Sequence, residues 1–263
     1  MVDAKRYGPW AVIAGGSEGV GADFARKLAA SGINLVLLAR KPGPLNEVAA
    51  EIHAGSDISV RAHSLDLTAE GAAERVKELT ADIDVGLLIY NAGAEGTLGN
   101  FLERDVADAT RMIARNITVP TVLAHHFGGL MKARGRGGII LVGAVGGYAG
   151  GPGMAMYSAS KAFDYILAEG LWYEFKPYGI DVLGLVLGAT DTPALAWVGM
   201  KTDTPGFVAA NSAEVAQEGL DHLGAGPVWH TGGTEAVAQH LRAMPRAEAV
   251  SMIAEASKAM MKS

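Results

Sequence analysis

Short apolar runs alternate with helical patterns along almost the whole chain, and this alternation limits the possible folds more than any other feature of the sequence. Strands that alternate with helices become parallel neighbours joined by right-handed crossovers, with helices on both faces of the sheet. The predicted strands are residues 10–14, 34–39, 58–63, 84–90, 138–143, 180–187 and 227–230. The predicted helices are residues 20–30, 45–53, 68–79, 106–134, 155–175, 213–223 and 236–261, with interruptions near Pro120 and Pro245.

No linker, repeat or low-complexity segment divides the chain. We therefore expect residues 1–263 to form a single-domain α/β fold, a doubly wound parallel sheet of the Rossmann type. In such sheets a ligand lies at the carboxyl ends of the strands, near the point where the strand order reverses. The residues that directly follow each predicted strand are therefore the first candidates for function.

Composition excludes several classes of protein. Hydrophobic residues make up 49% of the chain, which is enough for a large core and excludes a disordered or fibrous protein. A net charge of −6 argues against a nucleic-acid partner. Cysteine is absent, so disulfides and thiolate metal sites are excluded and a reducing cytoplasm is expected. The longest uncharged stretch, residues 138–160, is too rich in glycine for a membrane span, and the N-terminus has no apolar signal segment, so a soluble protein is expected.

A glycine-rich turn follows the first predicted strand and leads into a helix. Gly15, Gly19 and Gly21 would permit a tight turn, close approach to a pyrophosphate and close packing of the helix on the sheet, while the helix N-terminus offers free N–H groups. A glycine-rich connection with no ligand is the alternative. The candidate cofactor-binding residues of this turn are Gly15, Ser17, Glu18, Gly19, Val20 and Gly21. The side chain of Glu18 itself is expected to be solvated.

The end of the second strand predicts which dinucleotide would bind. A site selective for NAD usually has a carboxylate there for the ribose 2′-hydroxyl, whereas an arginine suits a 2′-phosphate. Arg40 and Lys41 occupy this place, and no acidic residue lies between Leu35 and Pro44. The sequence therefore favours NADP(H), with Arg40 on the 2′-phosphate; a solvated basic pair at a loop entrance is the alternative.

Tyr157 and Lys161 are four residues apart in a predicted helix and so lie on one face. A nearby ammonium makes a phenol a more useful acid–base group near neutral pH. Most Tyr-x-x-x-Lys pairs are ordinary surface pairs. Combined with the glycine turn, however, this pair resembles the short-chain dehydrogenase/reductase family.

The resemblance covers nearly the whole chain, because further motifs follow in the family's order and spacing. They are Asp66-Leu67, similar to an adenine-contacting pair; Asn91-Ala92-Gly93, similar to a sheet-stabilising motif; Asn116 in the long helix; and Gly188 and Thr192, similar to an element that reaches the nicotinamide. Residues 7–12 and 34–40 look most like 17β-hydroxysteroid dehydrogenase/3-oxoacyl-CoA reductase-type members. The resemblance implies that Tyr157 is the general acid in reduction, that Lys161 activates it and holds the ribose, and that Asn116 supports a proton relay through water.

The family usually has a catalytic serine thirteen residues before the tyrosine, and that position is Ala144 here. Gly147 keeps the family's spacing, so the register is sound and the hydroxyl is missing. Three alternatives are open. The chain is an active-site variant of a competent enzyme made to trap a complex, a natural enzyme that polarises its substrate differently, with Tyr148 as the nearest spare hydroxyl, or a cofactor-binding protein without catalysis.

The segment at about residues 190–212 corresponds to the family's mobile substrate lid. Leu195, Trp197 and Met200 would give it an apolar wall suited to a steroid, aromatic or fatty ketone; core packing of a short helix is the alternative. The resemblance also implies a homodimer or homotetramer paired through the long helix and the helix of Tyr157. A metal site is not expected, because the adjacent His125 and His126 would point apart on a helix.

Together these observations predict an NADP(H)-dependent oxidoreductase that interconverts a hydrophobic ketone and its secondary alcohol by hydride transfer. The alternative, supported mainly by Ala144, is a non-catalytic NADP-binding protein that acts as a sensor or scaffold.

Overall fold

The computed structural model describes residues 2–94, 99–197 and 208–262, with side chains placed except at 196–197 and 256–262. Its centre is a seven-stranded sheet in which every neighbouring pair is parallel. The strand order is β3-β2-β1-β4-β5-β6-β7, so the order reverses between β1 and β4. The strands are β1 (Trp10–Ala14), β2 (Asn34–Ala39), β3 (Val60–Ser64), β4 (Val85–Tyr90), β5 (Gly137–Ala144), β6 (Ile180–Leu187) and β7 (Val228–His230). This is the predicted Rossmann-type fold in a single α/β domain.

Helices cover both faces of the sheet. They are α1 (Ala4–Tyr7), α2 (Gly19–Ala30), α3 (Pro42–Gly55), α4 (Ala72–Leu79), α5 (Val106–Ile113), α6 (Val119–Arg134), α7 (Ala155–Phe175), α8 (Pro193–Trp197), α9 (Ser212–Asp221), α10 (Glu235–Ala243) and α11 (Arg246–Lys262). Each face has its own apolar layer: Phe24 and Leu28 of α2 pack on one side with α9, and Leu123 and Phe127 of α6 pack on the other. None of these helices, within the described residues, is long and apolar enough to cross a membrane.

Two of the differences between the predicted and the observed helices have identifiable causes. The long helix predicted over 106–134 is divided by a π-helical segment, Ala114–Thr118, and Pro120, which has no N–H to donate to the preceding turn, follows it in the first turn of α6. The start predicted at residue 68 is wrong, and α4 begins at Ala72. The cause is a turn in which Asp66 Oδ1 accepts from the N–H and the hydroxyl of Thr68, both at 2.9 Å, followed by Gly71 in the left-handed region.

Candidate active site

The glycine-rich turn connects β1 to α2 at the point where the strand order reverses. Gly15 (φ +83°) and Gly19 (φ +53°) adopt left-handed backbone angles that favour glycine. A Cβ on Gly21 would lie 1.9 Å from the carbonyl oxygen of Gly15, so only glycine allows α2 to start this close to the strand. No side chain caps the N-terminus of α2, which leaves its first N–H groups available to an anion.

Asn91, directly after β4, holds this turn from the neighbouring strand. Its backbone N–H donates to the Ala14 carbonyl at 2.9 Å, and its Nδ2 donates to the Gly15 carbonyl at 3.0 Å. Gly93 then leaves room for Lys161, since a Cβ on Gly93 would lie 2.7 Å from Lys161 Nζ. The Asn-Ala-Gly motif thus fixes the glycine turn at one end and makes space for the ammonium at the other.

A cavity of about 530 Å³ runs along the carboxyl ends of the strands and contains most of the predicted site residues. Its volume lies in the range usual for small-molecule and cofactor sites. The predicted residues that line it are Gly15, Ser17, Glu18, Gly19, Val20, Arg40, Asp66, Leu67, Asn91, Ala92, Gly93, Ala144, Tyr157, Lys161, Gly188, Thr192 and Leu195. Gly21 and Asn116 lie behind this lining, Gly21 against the turn and Asn116 beneath α7.

One end of the cavity is rich in charge. Arg40 and Asp66 both line it, at the ends of β2 and β3. Burial tends to raise the pKa of Asp66, but hydrogen bonds from Thr68 and the charges of Arg40 and Arg115 outweigh this effect and lower the pKa. Glu18 is not simply solvated as expected, because its carboxylate pairs with Lys41 at 3.1 Å.

The other end of the cavity is formed by β5 and α7. Tyr157 and Lys161 lie one helical turn apart on α7, and both line the cavity together with Ala144 at the end of β5. Lys161 Nζ donates to the carbonyl of Val142 at 2.8 Å and to Asp164 Oδ2 at 3.0 Å. A phenol, an ammonium and the end of a parallel strand therefore converge on one wall.

Asn116 lies in the π-helical segment and is 2% exposed. Its Nδ2 donates to Ser160 Oγ at 2.9 Å, and the Ser160 hydroxyl donates to the Tyr157 carbonyl at 2.8 Å. The widened helical turn thus directs the amide toward α7, where it supports the backbone of Tyr157 through Ser160. It makes no direct hydrogen bond with Lys161 in the described part of the chain.

Comparisons with known proteins agree with this architecture. The family model of the short chain dehydrogenases matches residues 9–202. The chain belongs to that family. A 7beta-hydroxysteroid dehydrogenase of Clostridium sardiniense is 34% identical over 222 residues, which is 84% of each chain. A very-long-chain 3-oxoacyl-CoA reductase of Meyerozyma guilliermondii is 34% identical over 201 residues, 73% of this chain and 59% of that protein. These similarities confirm the family, and the relatives include both a hydroxysteroid dehydrogenase and a 3-oxoacyl-CoA reductase, as the sequence motifs indicate.

Solved structures of short-chain dehydrogenases superpose closely on this chain. A 7beta-hydroxysteroid dehydrogenase matches with a TM-score of 0.88 at 28% identity, over 96% of this chain and 99% of that one. A short-chain dehydrogenase from Sphingobium yanoikuyae, in complex with NADPH, matches with a TM-score of 0.79 at 31% identity, over 88% of this chain and 91% of that one. The protein is therefore an oxidoreductase of this family, whose fold binds a nicotinamide cofactor and whose members act on small molecules.

The side chain at position 144 carries no hydroxyl, and Tyr148 does not bring one into the cavity. Tyr148 is buried, and its hydroxyl lies 2.9 Å from His230 Nε2, beneath the guanidinium of Arg242. Burial raises the pKa of Tyr148 to about 12 and lowers the pKa of His230, so the phenol keeps its proton and the neutral imidazole is suited to accept a hydrogen bond from it. The structure therefore gives Tyr148 a packing role near β7, away from the place expected for a substrate-contacting residue.

The predicted lid coincides only in part with the described residues. Gly188 and Thr192 line the cavity after β6. A Cβ on Gly19 would lie 2.7 Å from the methyl carbon of Thr192, so the methyl packs closely against the glycine turn. Leu195 also lines the cavity and is nearly buried. The Trp197 side chain and Met200 lie outside the described residues, as do residues 198–207 of the predicted lid.

Sequence reasoning missed several residues of this dehydrogenase site. Arg115 lines the cavity and donates through Nε to Asn116 Oδ1 at 2.9 Å; its only sequence signal was its position next to Asn116. Met154 and Ile253 add apolar surface near Tyr157, and Ile253 comes from α11, which no local pattern connects with the site. Asp164, three residues after Lys161, was detectable from helical spacing alone. Within the described part of the chain, no group of metal-ligating side chains comes together.

Proposed function

We propose that this short-chain dehydrogenase is an NADP(H)-dependent enzyme that interconverts a hydrophobic ketone and its secondary alcohol. The observation that carries the proposal is the placement of Tyr157 and Lys161 in the same cavity as the glycine turn, so that the acid–base pair and the cofactor cradle share one space. A glycine turn alone, or a Tyr-x-x-x-Lys pair alone, is compatible with a protein that transfers no hydride. Together they form a site for hydride transfer coupled to proton transfer.

The residues at the charged end fit a phosphorylated dinucleotide. The glycine cradle leaves no space for a Cβ at Gly21, and the uncapped N-terminus of α2 presents N–H groups to a pyrophosphate. Arg40 follows β2, where a 2′-phosphate would need a bidentate cation. The carboxylate of Glu18 in the glycine turn pairs with Lys41, which supports a phosphate partner for Arg40 rather than a ribose 2′-hydroxyl on that carboxylate.

Bound NADP(H) would supply or accept the hydride. In the direction of reduction, Tyr157 would donate its phenolic proton to the carbonyl oxygen as negative charge develops there. Lys161 would keep positive charge beside the phenol, and Asn116 would hold the tyrosine's part of α7 in place through Ser160. A water relay through Asn116, expected from the family resemblance, remains part of the proposal.

The substrate end of the cavity supports an apolar ketone. Val145, Met154, Leu195 and Ile253 line the same cavity as Tyr157 and provide apolar surface there. The solved 7beta-hydroxysteroid dehydrogenase covers nearly all of this chain, so a steroid-sized ketone is the substrate class to examine first.

Ala144 supports a second candidate function, a non-catalytic NADP-binding protein. An oxyanion-type donor is worth about 10²–10³ in turnover, so its absence is expected to impair the reaction without abolishing it. The Tyr148 hydroxyl is occupied by His230, which removes the nearest compensating donor. Of the two tyrosine hydroxyls, that of Tyr157 remains to donate a proton at this wall.

The experiment that separates the two candidates compares this chain with the Ala144→Ser variant. NADPH oxidation would be measured with a panel of steroid, aromatic and fatty ketones, and NADPH binding would be measured by fluorescence titration. We expect the serine to raise turnover by about 10²–10³-fold while NADPH affinity stays the same. If neither protein turns over any ketone but both bind NADPH, the dehydrogenase proposal fails for these substrates and the binding protein takes its place.

A further inference from the structure

A buried carboxylate that the proposed mechanism does not use lies beneath the catalytic wall. Asp164 is 3% exposed, and Lys161 beside it is 5% exposed. Positions 157, 161 and 164 recur at helical spacing, which places Asp164 on the same face of α7 as the catalytic pair. Buried aspartates are rare unless they are paired, so this carboxylate depends on the group beside it.

The carboxylate and the ammonium form a compact ion pair against β5. Asp164 Oδ2 accepts from Lys161 Nζ at 3.0 Å, and the same Nζ donates to the Val142 carbonyl at 2.8 Å. A Cβ on Gly143 would lie 3.6 Å from the Cβ of Asp164, so the strand packs directly over the pair. Two of the three donor positions of the ammonium are therefore directed into the protein.

The surroundings of the pair offer little other charge. Burial raises the pKa of Asp164, and Lys161 offsets part of that rise. The facing residues of β5, at positions 142–144, carry no titratable group. Tyr90 of β4 lies close enough for Asp164 to affect it, and its phenol donates to the carbonyl of Arg115 in the π-helical segment. Arg115 of that segment also acts on Tyr90, and its Nε donates to Asn116 Oδ1. Further titratable groups on elements packed against α7 have partners of their own: Asp108 with Arg111 on α5, Asp181 with Arg6 on β6, and His230 with Tyr148 on β7.

An ammonium promotes ionisation of a neighbouring phenol because it stabilises the phenolate. A carboxylate 3.0 Å from that ammonium turns a single charge into a short dipole, whose effect on a third group is much weaker. The proposed activation of Tyr157 by Lys161 is therefore opposed by a residue of the same helix.

We propose that Asp164 is a positioning residue that holds the Lys161 ammonium against β5 and offsets its charge, so that Lys161 stabilises a phenolate on Tyr157 less than an unpaired lysine would. The inference rests on the proposed acid–base role of Tyr157. It implies that Asp164 favours the phenol of Tyr157 over its phenolate, and the phenol is the form that donates a proton in ketone reduction.

The test follows the phenolate of Tyr157 directly and needs no substrate. Ultraviolet absorbance would be titrated for the chain and for its Tyr157→Phe variant, and their difference isolates Tyr157. The same pair would be made in the Asp164→Asn background, which keeps the shape and removes the charge. The midpoint of this difference titration is expected to lie about one pH unit lower in that background. Glu169→Gln serves as the matched control, because Glu169 is a half-exposed carboxylate on the same helix, 3.9 Å from Arg242, and should leave the midpoint in place.

A midpoint that stays in place or rises in Asp164→Asn would overturn the inference, even if the variant is less stable, because a purely structural role changes stability without moving this titration. If Asp164→Asn does not fold, Asp164→Ser decides: it also removes the charge and should lower the midpoint, whereas an unchanged or higher midpoint contradicts the proposal. A shifted midpoint in a chain that reduces no ketone would leave the role of Asp164 standing while the proposed function fails.

Discussion

At the scale of single residues, the site combines a complete cofactor cradle with an incomplete carbonyl end. Tyr157 is the hydroxyl that the described residues place at that end, since position 144 is alanine and Tyr148 is bonded to His230. The missing serine could be recognised from spacing to Tyr157 and Gly147 alone. The sequence could not show that Tyr148 is unable to replace it. The direction of the Tyr148 side chain depends on packing against Tyr165 and Arg242, which are distant in sequence.

Arg40 is the residue on which the choice of cofactor depends. Replacing it with aspartate removes a guanidinium and places a carboxylate beside the proposed 2′-phosphate. We expect Arg40→Asp to weaken NADPH binding by about 10- to 100-fold and to leave NADH binding within about threefold, as measured by fluorescence titration. Arg75→Asp is the matched control, because Arg75 is an exposed arginine that pairs with Glu78 on α4. Equal losses for the two cofactors would remove the 2′-phosphate assignment.

At the scale of secondary-structure elements, the connection from β1 to α2 carries most of the cofactor proposal. The bounds of β1, β2 and β6 follow directly from their apolar runs, and these strands have the predicted limits. The π-helical segment could not be predicted, because no propensity distinguishes a wide turn from an α-helical one over Ala114–Thr118. That segment sets the direction of Asn116, so the least predictable element positions one of the predicted site residues.

Gly21→Ala tests how closely α2 packs against the strand it follows. The new Cβ would lie 1.9 Å from the Gly15 carbonyl oxygen, so the turn or the helix must shift. We expect the free energy of unfolding in urea to fall by about 2–3 kcal/mol, with a parallel loss of NADPH affinity. Gly43→Ala, in the first turn of α3 with open space around it, should leave stability within about 1 kcal/mol. Similar stability of the two variants would show that the turn has room for a side chain at position 21.

At the scale of the whole molecule, one sheet brings together residues that are distant in sequence. The cavity joins residues from the first glycine turn to Ile253 of α11, and only the strand order explains why they meet. The alternation of strands and helices predicts a doubly wound parallel sheet. It does not predict that α11 reaches the cavity, because the position of α11 depends on where the last crossover ends. Pairing of subunits through α6 and α7 stays a prediction, consistent with exposed Leu130, Ile166 and Tyr173 on those helices.

Hydride transfer with Tyr157 as the acid is tested most directly by isotope transfer. The chain and its Tyr157→Phe variant would each be mixed with NADPH deuterated at the transferred position and with a ketone that the panel shows to be turned over. We expect deuterium on the carbinol carbon of the product, and a loss of at least about 100-fold in rate for Tyr157→Phe with NADPH affinity preserved. An alcohol without deuterium, or an undiminished rate in Tyr157→Phe, would contradict the proposed reaction.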